Sequence, residues 1–422
     1  MYNKKCYNVK KEGSQEGLFM KKKNYKKPNT IIYSFGRLCA KIYTKFVLNL
    51  KVEKNETKNA KGAYVLLANH EASIDFMSLL ATLKGKVIYV VSNAYYQTNP
   101  IKWLLDACKI IPKQQFYTSV ANMKRMKAAI DHNLPLAFYP AGWMTGNGIS
   151  TPIPDATGKS LKWFGCDVYA AVTKGSYLSK PKWSKIGRKG KVTLNIIKLF
   201  SAEEVKTLDE TVLLNRVKEV LDYDSYENQK KALIPFKNGN NIEGLENVLY
   251  KCPKCGKEFC MESTQFDTLT CRHCKNQVKA NKYGLLEKVN PTDVIFDSPS
   301  DWSRYIINDL KNSESNITLE SPCKVQMINY EKRKFEFVGH GLVKIDEEKI
   351  SFEGIINNEI TSKEFLISKN PTLPYVPGKC FDLQEEKEIY KIHLENPKQT
   401  LKWVYLTEIY HKKSTNKNTK SA

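Results

Sequence analysis

From residue 29 to about 48 the apolar residues Ile31, Ile32, Phe35, Leu38, Cys39, Ile42 and Phe46 recur at steps of three or four, while Ser34, Arg37, Lys41 and Lys45 line another face. That is helical spacing, so the segment reads as a basic amphipathic helix. It either lies on its own domain or rests its apolar side on an anionic membrane surface. Between 62 and 200 the period changes. Short apolar runs at 63–68, 87–92, 109–112, 136–139, 168–172 and 191–199 read as strands. Segments at 73–83, 101–107 and 118–132 read as helices, followed by an acidic helical run at 203–222. Strands alternating with helices predict an α/β domain, a mixed sheet flanked by helices. Asn and Gly over 237–244 mark a linker. Further on, 325–330, 334–338, 342–346, 349–355, 364–368 and 387–394 read as strands, with 301–310 as a connecting helix carrying Trp302 and Tyr305. Together with a closing helix at 401–411, the strands predict a small β-barrel or sandwich.

Composition adds size. The 422 residues, 41% of them hydrophobic, can fill two to four cores and exclude a disordered chain. No run of 18 apolar residues occurs, and Leu18-Phe19-Met20 is too short for a signal-peptide core, so neither a membrane-spanning helix nor a secretory leader is expected. Charge adds direction. Residues 1–200 carry 34 basic and 10 acidic residues, a balance of +24, whereas residues 201–422 carry 33 and 34, a balance of −1. The first half therefore faces something anionic: a membrane surface, nucleic acid, or an acidic substrate or carrier. Nucleic acid is not expected, because the basic excess lies outside the cysteine-rich segment and carries no nucleic-acid motif. The expected organisation is a basic disordered tail at 1–28 (with Met20 a possible start), the α/β domain at 29–235, a cysteine segment at 248–285, the β-rich domain at 290–412 and a disordered tail at 413–422.

Cys252-Pro253-Lys254-Cys255 and Cys271-Arg272-His273-Cys274 are two C-x2-C units separated by fifteen residues. Four thiolates on two turns make a tetrahedral site closed by protein ligands, so a structural zinc ribbon is expected, with Cys260 and His273 as bystanders.

The chemistry concentrates at Asn69-His70-Glu71-Ala72-Ser73-Ile74-Asp75, between an apolar strand and a helix. A His at the rim of a sheet with an Asp in the first turn of the next helix can be held through Nδ1, which leaves Nε2 as a base. Ser73 reads as the helix cap. Asn69-His70 with Asp75 resembles the NHx4D block of the glycerolipid acyltransferase superfamily, which includes lysophosphatidate acyltransferase. Cys108-Lys109-Ile110-Ile111-Pro112-Lys113 resembles that family's second block, with Lys113 where Arg is usual. Phe138-Tyr139-Pro140-Ala141-Gly142 resembles the third, and Val168-Tyr169-Ala170-Ala171-Val172, leading into Gly175-Ser176-Tyr177, the fourth. Ala141 stands where the family has Glu and Met144 where it has Arg, so the acceptor site lacks a carboxylate and a guanidinium. Lys113 remains, with Lys159 and Lys174 as possible substitutes.

The resemblance implies His70 and Asp75 as catalytic residues, and Asn69, Lys113, Pro140 and Gly142 as substrate-binding ones. It implies acyl transfer from acyl-CoA or acyl carrier protein to a hydroxyl of a lysophospholipid acceptor, 1-acylglycerol-3-phosphate first, without a covalent enzyme intermediate. It also implies a peripheral enzyme on the cytoplasmic face of the membrane. The altered third block keeps a second reading open, that of a degenerate adaptor whose zinc ribbon and β domain bind partners. The β domain itself is similar in architecture to pleckstrin-homology or GRAM barrels.

Overall fold

The computed structural model describes residues 26–115, 119–313, 316–385 and 388–420, the last five without their side chains; most of the expected basic tail, Met20 and the start of the helix expected at 118 fall outside them. A seven-stranded sheet forms from β1 (Leu50–Asn55), β2 (Tyr64–Ala68), β3 (Ile88–Ser92), β4 (Ile111–Lys113), β5 (Leu136–Phe138), β6 (Asp167–Lys174) and β7 (Val192–Phe200). Its order is β1-β7-β6-β2-β5-β3-β4, parallel throughout except that β7 runs antiparallel to β6. All five residues of β2 are buried because both faces of the sheet are covered. Val65 and Leu67 point into a cluster with Leu161, Phe164 and Val217. Tyr64, Leu66 and Ala68 point the other way, into a cluster with Tyr33, Leu79 and Leu83.

The amphipathic helix is present as α1 (Thr30–Phe46), and the Asn29 side chain accepts hydrogen bonds from the backbone N–H groups of Ile31 and Ile32. Its orientation is the notable feature. Tyr33, Ala40 and Thr44 are buried against the domain, whereas Ile31, Phe35, Leu38, Ile42 and Phe46 are between 52% and 81% exposed. The apolar stripe faces outward.

The acidic run at 203–222 is two helices, Ala202–Thr207 and Glu210–Leu221, because Asp209 caps the second through the Thr211 N–H. Residues 237–244 are not a loose linker. Lys237 N–H donates to Lys189 O at 2.7 Å, and Ile242 is buried. Beyond them a four-stranded antiparallel sheet spans 261–288. A second seven-stranded antiparallel sheet follows, in the order Glu359–Leu366, Lys349–Ile356, Lys334–Ile345, Leu319–Asn329, Glu388–Leu394, Cys380–Glu385, Tyr375–Val376. The runs expected at 334–338 and 342–346 are one strand, bent by a bulge opposite Val325 and Gln326. The last helix spans Thr400–Lys420, so the polar stretch expected as a disordered tail from 413 is helical to 420; it contains no Gly or Pro to stop the helix. Buried residues of the cysteine segment, of the helix Pro299–Lys311 and of this last sheet and helix form one continuous core, with Trp302 and Trp403 fully enclosed.

Candidate active site and cysteine cluster

The chain leaves β2 at Asn69, whose amide extends the sheet pairing: Oδ1 accepts from Thr173 N–H at 2.8 Å and Nδ2 donates to Thr173 O at 2.9 Å. Both functions of this buried side chain are used within the protein. Asn69 therefore holds the turn that carries His70. His70 follows, partly exposed, and α2 (Asp75–Thr82) begins five residues later. Ser73 is exposed and does not cap α2; its N-cap is Ile74, with no side-chain bond. The turn is organised from Asp75 instead.

Asp75 Oδ2 lies 3.0 Å from His70 Nδ1 and accepts from the N–H groups of Glu71 at 2.7 Å and Ala72 at 2.9 Å. Its Oδ1 accepts from the Ser176 hydroxyl. Four donors converge on a side chain that is 1% exposed, which suits an acceptor-only carboxylate. With Nδ1–H given to Asp75, the lone pair of His70 sits on Nε2. The Tyr139 ring stacks on the imidazole, centroids 4.0 Å apart at 16°, and Thr145 N–H donates to His70 O at 3.1 Å.

Two groups here were not singled out from sequence. Ser176 lies 101 residues from Asp75, in the short helix after β6 that the fourth block leads into. The Glu71 carboxyl is fully buried and accepts from the Ser225 hydroxyl. Burial pushes its pKa well above the carboxylate range, the Ser225 bond opposes this, and the charges of Asp75 and Asp224 add to it. Burial likewise raises the Tyr139 phenol, with Asp75 adding.

Lys113 ends β4, paired with Ser92 of β3. Its side chain reaches solvent, yet the protein crowded around it lowers its pKa. Pro140 and Ala141 are buried. Gly142 is exposed at φ +81°, a left-handed turn that glycine adopts freely, and its carbonyl accepts from Gln115 Nε2 at 2.6 Å. Lys159 is exposed and lies 3.7 Å from Glu210 Oε1. Lys174 ends β6, next to the Thr173 that holds Asn69.

Cys252, Cys255, Cys271 and Cys274 bring their sulfurs within 4.8 Å of one another. Cys252 and Cys274 are 3.6 Å apart and Cys255 and Cys271 3.8 Å. Four sulfurs at ~2.3 Å from one ion would be about 3.8 Å apart, so the group fits a tetrahedral metal. Both pairs sit on like turns: Cys252 N–H donates to Lys257 O and Cys271 N–H to Asn276 O, each at 2.9 Å. Cys260 stays outside, its thiol turned to Glu258 O.

Residues 49–162, from the start of β1 to beyond the third block, match the Acyltransferase family model. No curated protein matches the chain in sequence. Among solved structures it is similar to the 1-acyl-sn-glycerophosphate (LPA) acyltransferase PlsC from Thermotoga maritima, at 17% identity over 45% of this chain and 75% of that one, with a TM-score of 0.39.

Proposed function

We propose that this chain transfers a fatty acyl group from a thioester, acyl-CoA or acyl carrier protein, to a hydroxyl of a lysophospholipid or related glycerolipid, with 1-acylglycerol-3-phosphate the first acceptor to try. The observation that carries the proposal is the His70–Asp75 pair: Nδ1 held at 3.0 Å by a carboxylate with three other donors, and Nε2 left as the basic nitrogen at the rim of the sheet. His70 Nε2 takes the acceptor hydroxyl proton as that oxygen bonds to the thioester carbonyl. Asp75 stabilises the imidazolium that results. The tetrahedral adduct collapses, the C–S bond breaks, and the leaving thiolate takes the proton back from Nε2, giving an ester and a free thiol. The exposed Gly142 turn offers backbone close to the reacting carbonyl, and Lys113 is the cation available to an acceptor phosphate.

The outward stripe of α1 supports peripheral membrane binding, in keeping with the proposed place of the enzyme on the cytoplasmic face. Its five apolar side chains are unburied in the fold, and Lys41 and Lys45 flank them, each worth about 1 kcal/mol against anionic lipid. Among the described residues no helix is long and apolar enough to cross a membrane. The four cysteines would hold a structural zinc ion, which supplies folding free energy and takes no part in the transfer. The seven-strand order with its closing helix supports a pleckstrin-homology or GRAM type of barrel. Mass spectrometry tests the proposal: acyl-labelled thioester, anionic vesicles and a lysophospholipid panel are incubated with the protein. A diacyl product bearing the label is expected; intact thioester with every acceptor would sink it.

A further inference from the structure

The strand Cys380–Glu385 has two buried faces, although it lies at one side of its sheet. Phe381 and Leu383 point into the sheet's own core, as alternation requires. Cys380, Asp382 and Gln384 alternate to the outer face and are covered by the acyltransferase domain, where Lys182 lays its ammonium over the Tyr375 ring at 4.1 Å. Through Gln115 this face reaches the third-block turn. Gln384 Nε2 donates to Gln115 Oε1 at 3.2 Å, and Gln115 Nε2 donates to Gly142 O at 2.6 Å. Asn147 Nδ2 donates to Tyr405 Oη at 3.2 Å, from the turn to the last helix. Between them, the Tyr375 hydroxyl lies so close to Gly146 that a Cβ there would sit 1.9 Å from it. From beneath, Tyr177 Oη donates to Gly146 O at 3.2 Å. The turn's own Thr145 N–H reaches His70 O at 3.1 Å.

The third block also lacks its two charged side chains, Ala141 and Met144 standing in their places. Within the turn, Thr145 Oγ1 accepts from the N–H groups of Asn147 at 3.3 Å and Gly148 at 3.0 Å; Gln384, through Gln115, and Tyr405 add polar contacts from outside it.

We propose that the last β-sheet unit is a wall of the acceptor site, with Gln384 and Tyr405 as positioning residues that fix the Gly142–Gly148 turn against His70. This rests on the acyl-transfer reading above, and it makes acceptor binding, rather than donor binding, dependent on a separate domain. Neither residue touches the reacting atoms; each acts through Gln115 or Asn147.

The test uses the full chain carrying Gln384→Ala or Tyr405→Phe, the second removing one oxygen and little else, with the surface change Lys349→Ala as control. Two readouts are taken. Hydrogen exchange of the backbone amides over 142–148 should quicken roughly 3- to 10-fold in both variants, the scale of one lost hydrogen bond, with exchange over the cysteine segment unchanged. In acyl transfer, KM for the acceptor should rise by a similar factor while KM for the thioester stays put. Unchanged exchange over 142–148 in Tyr405→Phe, or equal rises in both KM values, would overturn the inference. Failure of the acyl-transfer reading is separately visible, as a wild type that makes no product although its turn is protected.

Discussion

Replacing Asp75 by Asn removes a charge while keeping a shape. The new amide oxygen can still accept from Glu71 and Ala72 and from His70 Nδ1, and its NH2 can face the Ser176 oxygen, so the turn has a satisfied arrangement available. What it cannot do is stabilise an imidazolium. With Nδ1 and Oδ2 3.0 Å apart, the charge centres sit about 4 Å apart, which at an effective dielectric constant of ~20 is worth about 4 kcal/mol. His70 is one-fifth exposed, and solvent reduces that figure, so a loss of about 10²- to 10³-fold in kcat is expected. The weaker neutral hydrogen bonds cost about 1–3 kcal/mol of stability, too little to unfold a domain of this size. The assay is single-turnover acyl transfer at saturating acceptor, with thermal melting of the same preparation. A folded Asp75→Asn protein working within threefold of wild type would refute the imidazolium argument. So would a loss that tracks a collapse in melting temperature.

Other outcomes follow from the same geometry. Glu71→Gln, which keeps an oxygen to accept from Ser225 at a site where burial disfavours the charged carboxylate, should keep kcat within about threefold, while Glu71→Ala, which leaves Ser225 unpaired, should lose tenfold or more; equal losses would point to a charge requirement instead. Burial pushes the Glu408 carboxyl up to about 7, so its contribution to stability is complete below about pH 4.5 and fades as pH rises through 7. Glu408→Gln, which can still accept from Thr372, should therefore gain up to about 3 kcal/mol above pH 7 and nothing below 4.5; a pH-independent difference in melting would contradict this. Metal analysis should find one zinc per chain. Chelation should lower the melting temperature and red-shift Trp emission, because Cys252 and Cys271 share a core with Trp302; well under one metal with unaltered melting would rule out the site. Phe35→Asp with Ile42→Asp should cut binding to anionic vesicles at least tenfold at unchanged stability, since both side chains are already exposed; a matching drop in melting temperature would mean the stripe packs within the protein.

The sequence made some of this readable and hid the rest for physical reasons. A central strand buried on both faces, such as Tyr64–Ala68, is an unbroken apolar run, so the strand and the His70 turn behind it stood out. The edge strand Leu50–Asn55 exposes four of its six residues, and its sequence carries no such mark. For α1 the periodicity defined two faces but not which one turns inward. The small face, with Ala40 and Thr44, packs, and the large apolar one does not. The hold of Asn69 on the turn was hidden because its partner, Thr173, is 104 residues away. Ser176 and Glu71 were passed over for the same reason: their roles come from long-range contacts, not from local spacing. The strand Cys380–Glu385 lacks a polar face toward water because another domain covers it.

The most direct measurement is thiol release from acyl-CoA and acyl-carrier-protein donors across a panel of lysophospholipid acceptors, with wild type beside His70→Ala. The account predicts release that depends on the acceptor and falls by at least 10³-fold in a folded His70→Ala protein, the general-base share with its imidazolium charge removed. Acceptor-dependent release that survives His70→Ala, or no release from a well-folded wild type with any acceptor, would contradict it.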